Sequence, residues 1–586
     1  MGIERSLSTQ QVDSTHQHTP DQETVSLGPD SRIEHVYLTF DTRLPEPVLQ
    51  SQSQPENTPP RPNLQSYNSP LEWSPARKWL LLTLACTATF LTSYTAGAYA
   101  PPIPLMQIAF NSSHLAVLSG LTTFTIGFAI SPMVLAPFSE INGRYPVFAA
   151  SAILYTASQI ACGGVTSLAG MLVARFFTGV GASVFSTMVG GFITDLWAKE
   201  NRNTPMAIFS GAGIVGTGAG PMAAAAIVHF HGNEQTGAGW EWVFWHMAIL
   251  TGATALLLLV FMRESRGPVL LSRKANALNK WYEELEQLGT YGVVFPHVEP
   301  DVGSTSPGLG SQPRRIRWVV KEDEDRISIS HMITISVCRP FRLLFTEPVV
   351  FFFALWLSFA WAVLFLTFES IAVVYERVYQ MSPFESSPAF SSLIVGGTIA
   401  TILCIWLESL LHVSQWQGEP ADPTYAHSNF WTFMRCHFPV DVPESRLYFT
   451  CITTLLLPIG LFLFGFLSRP EIHHAVPAVA IGIATIGIYS VYLATFNYIA
   501  DTYGPYASSA LAAQSLCRNI MGGTFPLITT ILFQNLGEKR AGGLLGGIAT
   551  ALGIVPWMLV FFGERIRKWS KFAQVSMPQS FPSCRG

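Results

Sequence analysis

Apolar residues along this chain fall in nearly charge-free blocks of roughly 20 residues or more, rather than at the spacing of an amphipathic helix or the alternation of a half-buried strand. A helix of about 20 such residues, rising 1.5 Å per residue, matches the hydrocarbon thickness of a bilayer. Twelve blocks are predicted to span, at about 79–100, 114–137, 146–165, 168–194, 206–230, 242–262, 349–375, 387–411, 447–468, 476–499, 508–534 and 541–562. Six precede and six follow a long polar interval at 263–346, an order that predicts two bundles related by duplication. The fold class is an all-α polytopic membrane protein, with six-helix bundles at 78–262 and 347–566.

Residues 1–77 are rich in Ser, Gln, Thr and Pro and carry neither an apolar period nor a cleavable leader pattern, so a disordered cytosolic tail is expected. Within the polar interval, RKANALNKWYEELEQL (273–288) reads as an amphipathic or surface helix, followed by a Gly/Ser/Pro stretch and the charge-rich KEDEDR. Arg77, Lys78, Arg144, Lys199, Arg202, Arg263, Arg266, Arg565, Arg567 and Lys568 border the blocks on one side, while the opposite loops of the first half (101–113, 166–167, 231–241) hold no Lys or Arg. The positive-inside rule therefore places both termini, the central loop and the 567–586 tail in the cytosol, although Arg377, Arg469, Lys539 and Arg540 fall outside. The sequon at Asn111 falls on the outer side as a glycosylation candidate.

Composition agrees: 49% hydrophobic, 12% charged and a mean hydropathy of +0.33, against about 25% charged in soluble domains. The net charge of −4 comes with basic residues scattered over loops, which excludes a nucleic-acid face. Most of the eight cysteines lie in apolar blocks as small hydrophobes, so no disulfide framework is expected. The pairs His229/His231 and His473/His474 lack acidic or thiol partners in register, so no metal is expected. No phosphate-cradling GxxxxGK[ST] and no nucleophile–base constellation appear, which disfavours ATP drive and enzymatic activity.

The turn after the second block reads APFSEINGRYP (136–146), where Gly143 permits the reversal, Glu140 and Arg144 offer a charge pair, and Pro146 starts the next helix. It resembles the signature loop of the major facilitator superfamily, in the form found in the fungal 12-spanner drug:proton antiporter family, with Ala136, Phe138 and Tyr145 as departures. RFFTGVGAS from Arg175 is similar to the superfamily's second motif. Gly216-xxx-Gly220-Pro221, inside GAGIVGTGAGPMAAAA (211–226), is similar to its antiporter motif. WEWVFW (240–245), ESRGPVLLSRKA (264–275), RPFRLLFTEPVV (339–350), PESRLY (443–448) and NYIADTYGPYASSALAAQSLCRNIMGGTFPL (497–527) extend the resemblance over most of 78–568.

The resemblance implies a proton-coupled efflux transporter working by alternating access, with no cofactor but the proton gradient. Its expected partners are a small amphipathic organic substrate, protons and lipid. A monomer in the plasma membrane is expected, with the vacuolar membrane as a second location. It also implies a gating charge network through Glu140, Gly143, Arg144 and Asp195, with Glu408, Arg446, Asp501 and Arg518 as second-half members. The substrate stays open among drugs, secondary metabolites and polyamines, and a non-transporting sensor is the rival from another class.

Ionisable residues inside spans are functional candidates by default. Arg175 is read either as a proton-transfer residue, as the resemblance implies, or as a structural tie between helices. Glu369 shares a helix face with Trp361 and Phe365 at i, i+4, i+8, roughly 30 Å along from Glu347 and so toward the outer face; it reads as a proton or substrate site, or as a structural gate. Arg518 reads as a structural or gating residue able to pair with a carboxylate such as Glu408 or Asp501. Tyr489, Tyr492 and Phe496, with Asn497 adjacent, form a stripe that either packs or lines a cavity, and Tyr94 is similarly placed. The glycines of 211–226 let helix backbones approach closely where lipid supplies no hydrophobic drive. The aromatic and histidine-rich stretch 412–444 has no assigned role beyond an amphipathic insertion.

Overall fold

The computed structural model describes residues 29, 31–47, 59–199, 201–289, 291–294, 314–324, 329–411, 413, 416, 429–440, 442–503, 506–570 and 572. The chain divides into two compact units, one of 1–67 with 271–325 and one of 68–270 with 326–586.

The larger unit is the membrane body. Spans 1 to 6 are Pro75–Gly97, His114–Asn142, Arg144–Gly164, Leu168–Leu196, Asn203–His231 and Glu241–Phe261; spans 7 to 10 are Pro348–Tyr379, Pro383–Leu411, Pro443–Leu467 and Ala475–Tyr503. Spans 11 and 12 share one helical run, Ser509–Trp569, which breaks at Gly537, where φ +72° is open to glycine but strained for other residues. The 6+6 order is thus recovered, and the element at 101–113 gains a short helix, Ile103–Ala109. The face at which span 1 begins is called proximal here and the opposite face distal.

Small residues set the helix approaches. On span 5, a Cβ at Gly216 or Gly220 would strike the Phe90 or Tyr94 carbonyl of span 1, whereas a Cβ at Gly218 would crowd Phe390 and Leu393, and one at Gly211 would meet Thr401, all on span 8. The glycine-rich stretch therefore has two working faces, one inside its own bundle and one across to the second. Span 2 meets span 11 in the same way: the Thr122 hydroxyl donates to the Gly523 carbonyl at 2.7 Å, and Leu516 packs on Ala129 and Met133.

In the smaller unit, Glu34–Tyr37 runs parallel to Ile316–Val319 and Glu46–Pro47 antiparallel to Val293–Val294. The helix Gly267–Gln287 contributes Leu278, Trp281, Tyr282 and Leu285 to a core with Leu38, Ile316 and Trp318. Asn279 exchanges both amide hydrogen bonds with the Trp318 backbone, at 2.8 and 2.9 Å, and the Trp281 indole donates to the Pro59 carbonyl. This corrects the expectation of a wholly disordered tail. EHVYLTF (34–40) is too short to register as an element alone, and finds its ladder 282 residues away. Residues 1–28 and 573–586, the Gly/Ser/Pro stretch and most of 412–428 lie outside the described residues; within 429–440, Asn429–His437 is a helix.

Candidate functional site

A cavity of about 570 Å³ lies at the distal end of the membrane body, between the two bundles. Pro101 and Pro104 follow span 1, His114 starts span 2, Phe368, Glu369, Ala372 and Glu376 come from span 7, and Thr530 and Gln534 from span 11. Glu369 is 6% exposed, and its carboxylate stands 3.6 Å from the His114 Nε2 across the bundle interface. A buried carboxylate beside an imidazole at a solvent-filled cavity is placed to exchange a proton there.

The proximal face is tied shut. Arg202, before span 5, reaches Asp501, at the end of span 10, at 3.4 Å, and the Tyr489 hydroxyl of span 10 donates to the Ala207 carbonyl of span 5 at 2.9 Å. Each bundle also carries its own proximal network. In the first, Arg144 meets Asp195 at 3.0 Å, Arg266 meets the other Asp195 oxygen at 3.2 Å, and Glu264 accepts from the Arg144 backbone N–H at 2.8 Å. In the second, Arg446 bridges Glu408 and Asp501, and Arg567 meets Glu444 at 2.8 Å. The parallel placement, an arginine entering the third helix of each half and an aspartate ending the fourth, reflects the duplication.

Several expectations change. Glu140 is exposed and takes no part in the Arg144 network; Glu264, three residues beyond the end of span 6, fills that role because Gly143, at φ +102°, turns the Arg144 and Tyr145 N–H groups toward it. Arg518 pairs with neither Glu408 nor Asp501, since Arg446 takes both; its guanidinium lies over the Trp361 and Tyr492 rings at 4.6 and 5.2 Å. Trp361 and Phe365 do not line the distal cavity, where Phe368 stands instead. Tyr94 is held within the first bundle by a 2.8 Å hydrogen bond to His246. Phe496 packs toward Gly190 of span 4, and Asn497 lines a small proximal pocket with Glu408 and Arg446. Arg175 is fully buried between the Tyr99 and Phe124 rings, with only long contacts to the Gly120 and Thr95 carbonyls. Asn111 is exposed at the distal face in a left-handed backbone conformation.

The roles of His114 and Arg202 are not legible from local sequence, because each acts across the bundle interface, with a partner about 250 to 300 residues away. Glu264 and Glu444 lie in the ESRGPVLLSRKA and PESRLY stretches, where charge at a proximal span end is the one local signal.

Residues 85–526 match the profile described as Major Facilitator Superfamily. The multidrug transporter mdrA of Aspergillus fumigatus is 27% identical over 87% of this chain and 74% of its own length. The efflux pump MFS2 of Trichophyton rubrum is 29% identical over 86% and 76% respectively. Among solved structures, the xylose transporter XylE from E. coli superposes with a TM-score of 0.51 at 14% identity, over 83% of this chain and 98% of that one, which speaks to the fold.

Proposed function

The chain belongs to the major facilitator superfamily, a family of non-enzymatic transporters, and from that premise we propose that it is a proton-coupled efflux pump for amphipathic organic compounds. The observation that carries the transporter reading is the pairing of a distal cavity of about 570 Å³ with a bridged proximal face, one of the two end states of alternating access. The export direction rests on the relatives, whose names denote multidrug transport and efflux. With the proximal face in the cytosol, substrate enters between the bundles after Arg202 parts from Asp501 and leaves through the distal cavity. Glu369 is the proton carrier: taking up or releasing a proton beside His114 changes the charge between the distal ends of spans 2 and 7 and so biases how they move relative to one another. The membrane is the plasma membrane.

The test is efflux of a panel of fluorescent amphipathic dyes from cells expressing wild type or Glu369→Gln, with and without a protonophore. Wild-type efflux should collapse with the protonophore, and the variant should bind dye yet export at least tenfold more slowly. Export by the variant at the wild-type rate removes Glu369 from the coupling step; wild-type export indifferent to the protonophore removes the proton.

A further inference from the structure

Arg518 is an anomaly among the buried charges of the second bundle. It is 4% exposed, and it makes no hydrogen bond or ion pair among the described residues. Carboxylates of the second bundle are engaged elsewhere: Glu408 and Asp501 with Arg446, Glu444 with Arg567 and Glu538 with Arg377, while Glu369 lies two helical turns, about 12 Å, along span 7 from Trp361, beside His114. A buried cation without a counter-ion is strongly unfavourable, and two aromatic faces offset only part of that cost.

The surroundings repeat the pattern. One turn to the proximal side of Arg518 on span 11 is Gln514, 1% exposed, with neither amide atom partnered. One turn to the proximal side of Trp361 on span 7 is Ser358, and one turn to the proximal side of Tyr492 on span 10 is Thr495; both are buried with unpartnered hydroxyls. Elsewhere in these helices such hydroxyls bond back to a carbonyl of the preceding turn, as Thr367, Thr485 and Ser490 do. Spans 7, 10 and 11 thus carry two successive layers, one helical turn apart. The first is a guanidinium beside two mutually contacting rings, 4.6 Å from the Trp361 centroid and 5.2 Å from that of Tyr492, which are 5.4 Å apart; the second is an amide and two hydroxyls without partners. Native interiors leave few polar side chains unpaired, and here they cluster.

We propose that this cluster is the substrate subsite of the transporter, and that it takes a planar aromatic compound bearing a carboxylate. The guanidinium supplies charge-assisted hydrogen bonds to the carboxylate, Gln514, Ser358 and Thr495 complete its acceptors, and the ring stacks with Trp361 or Tyr492. The inference rests on the transporter reading but not on proton coupling. It favours organic anions over polyamines and other organic cations, for which an unpaired arginine is repulsive.

The test uses the purified full-length protein in detergent and three probes of one shape: 2-naphthoate, its neutral amide, and 2-naphthylmethylammonium, with chloride titrated separately. Binding is read from tryptophan fluorescence and from thermal stabilisation. Naphthoate should bind at least tenfold more tightly than either analogue. Arg518→Gln should lose at least that factor, Arg518→Lys should recover part of it, and Gln514→Leu should weaken naphthoate several-fold. Equal affinity for the three probes, undiminished naphthoate binding by Arg518→Gln, or stabilisation by chloride with no further effect of naphthoate overturns the proposal. Should the arginine variants fail to fold, the ranking of probes on the wild type still decides. Because binding is measured without a gradient, loss of this site and loss of the efflux reading give separate results.

Discussion

Alanine in place of Gly213 or Gly220 separates the two things glycine does in span 5. Both positions are buried in the same helix, on the side that meets span 1. Each substitution gains the same helix propensity, about 0.8–1.0 kcal/mol. The added methyl meets different surroundings. At Gly213 the nearest atoms are the Ser93 hydroxyl and a Thr89 methyl, both 3.8 Å away, which is ordinary contact. At Gly220 the methyl strikes the Tyr94 carbonyl and stands 3.0 Å from the Ala98 nitrogen, backbone atoms that give way only if spans 1 and 5 part by about 1 Å.

Overpacking of this kind costs about 1–3 kcal/mol. Gly213→Ala is therefore expected to stabilise by up to about 1 kcal/mol, and Gly220→Ala to be neutral or to destabilise by up to about 2 kcal/mol. The propensity gain cancels in the comparison, so the difference between the variants is the overpacking cost alone. At about 2–4 °C per kcal/mol for a unit of one bundle's size, the midpoints of thermal unfolding in detergent should differ by about 2–12 °C. Gly216→Ala, whose methyl strikes the Phe90 carbonyl, should fall with Gly220→Ala. Midpoints for Gly213→Ala and Gly220→Ala that agree within a degree would refute the view that backbone approach, rather than general flexibility, explains the glycines.

Three further outcomes follow from the charge networks and turns. Arg202→Ala removes the proximal link to Asp501; a single long, part-buried pair of this kind is worth about 1 kcal/mol, so the proximal-open population should rise by about fivefold, read from spin-label distances between the proximal ends of spans 4 and 10. Gly143→Ala forces a side chain into φ +102° and against the Glu264 carboxylate, and should lower stability by about 1–3 kcal/mol, read from the midpoint of thermal unfolding. In the smaller unit, partial burial pushes Glu286 up, but the hydrogen bonds and charges of Arg315 and Arg317 outweigh it and hold the carboxyl at about 2. A carboxyl held below its unfolded value stabilises above that value and ceases to as pH falls through the folded one. Protection of the 316–319 strand from hydrogen exchange, corrected for the intrinsic rate, should therefore fall between about pH 4.5 and 2, and Glu286→Gln should show reduced protection already at pH 6.

What the sequence disclosed and what it withheld divide along one physical line. Span lengths, the duplication, the Gly143 turn and the small-residue faces are local, each determined by a stretch no longer than one helix and its cap. The partner of a charge is not local. Arg144 had a glutamate four residues away, yet Glu140 lies outside the turn and Glu264 completes it from beyond span 6. Arg518 had two acidic candidates in its own bundle, and both go to Arg446, because an arginine at a helix entry reaches them with hydrogen-bonding geometry that one in mid-span lacks. The smaller unit shows the same limit from the opposite side: EHVYLTF alternates as a strand should, but a single strand is not an element until Ile316–Val319 supplies its ladder. An ionisable residue in a span is thus identified by sequence as costly, and only the arrangement of the other helices shows whether the chain itself meets that cost. Both arginines lie against two aromatic rings and keep an unpartnered N–H; Arg175 also donates to the Gly120 and Thr95 carbonyls, whereas Arg518 makes no hydrogen bond among the described residues, which is why the second arginine points more strongly to a ligand with charge of its own.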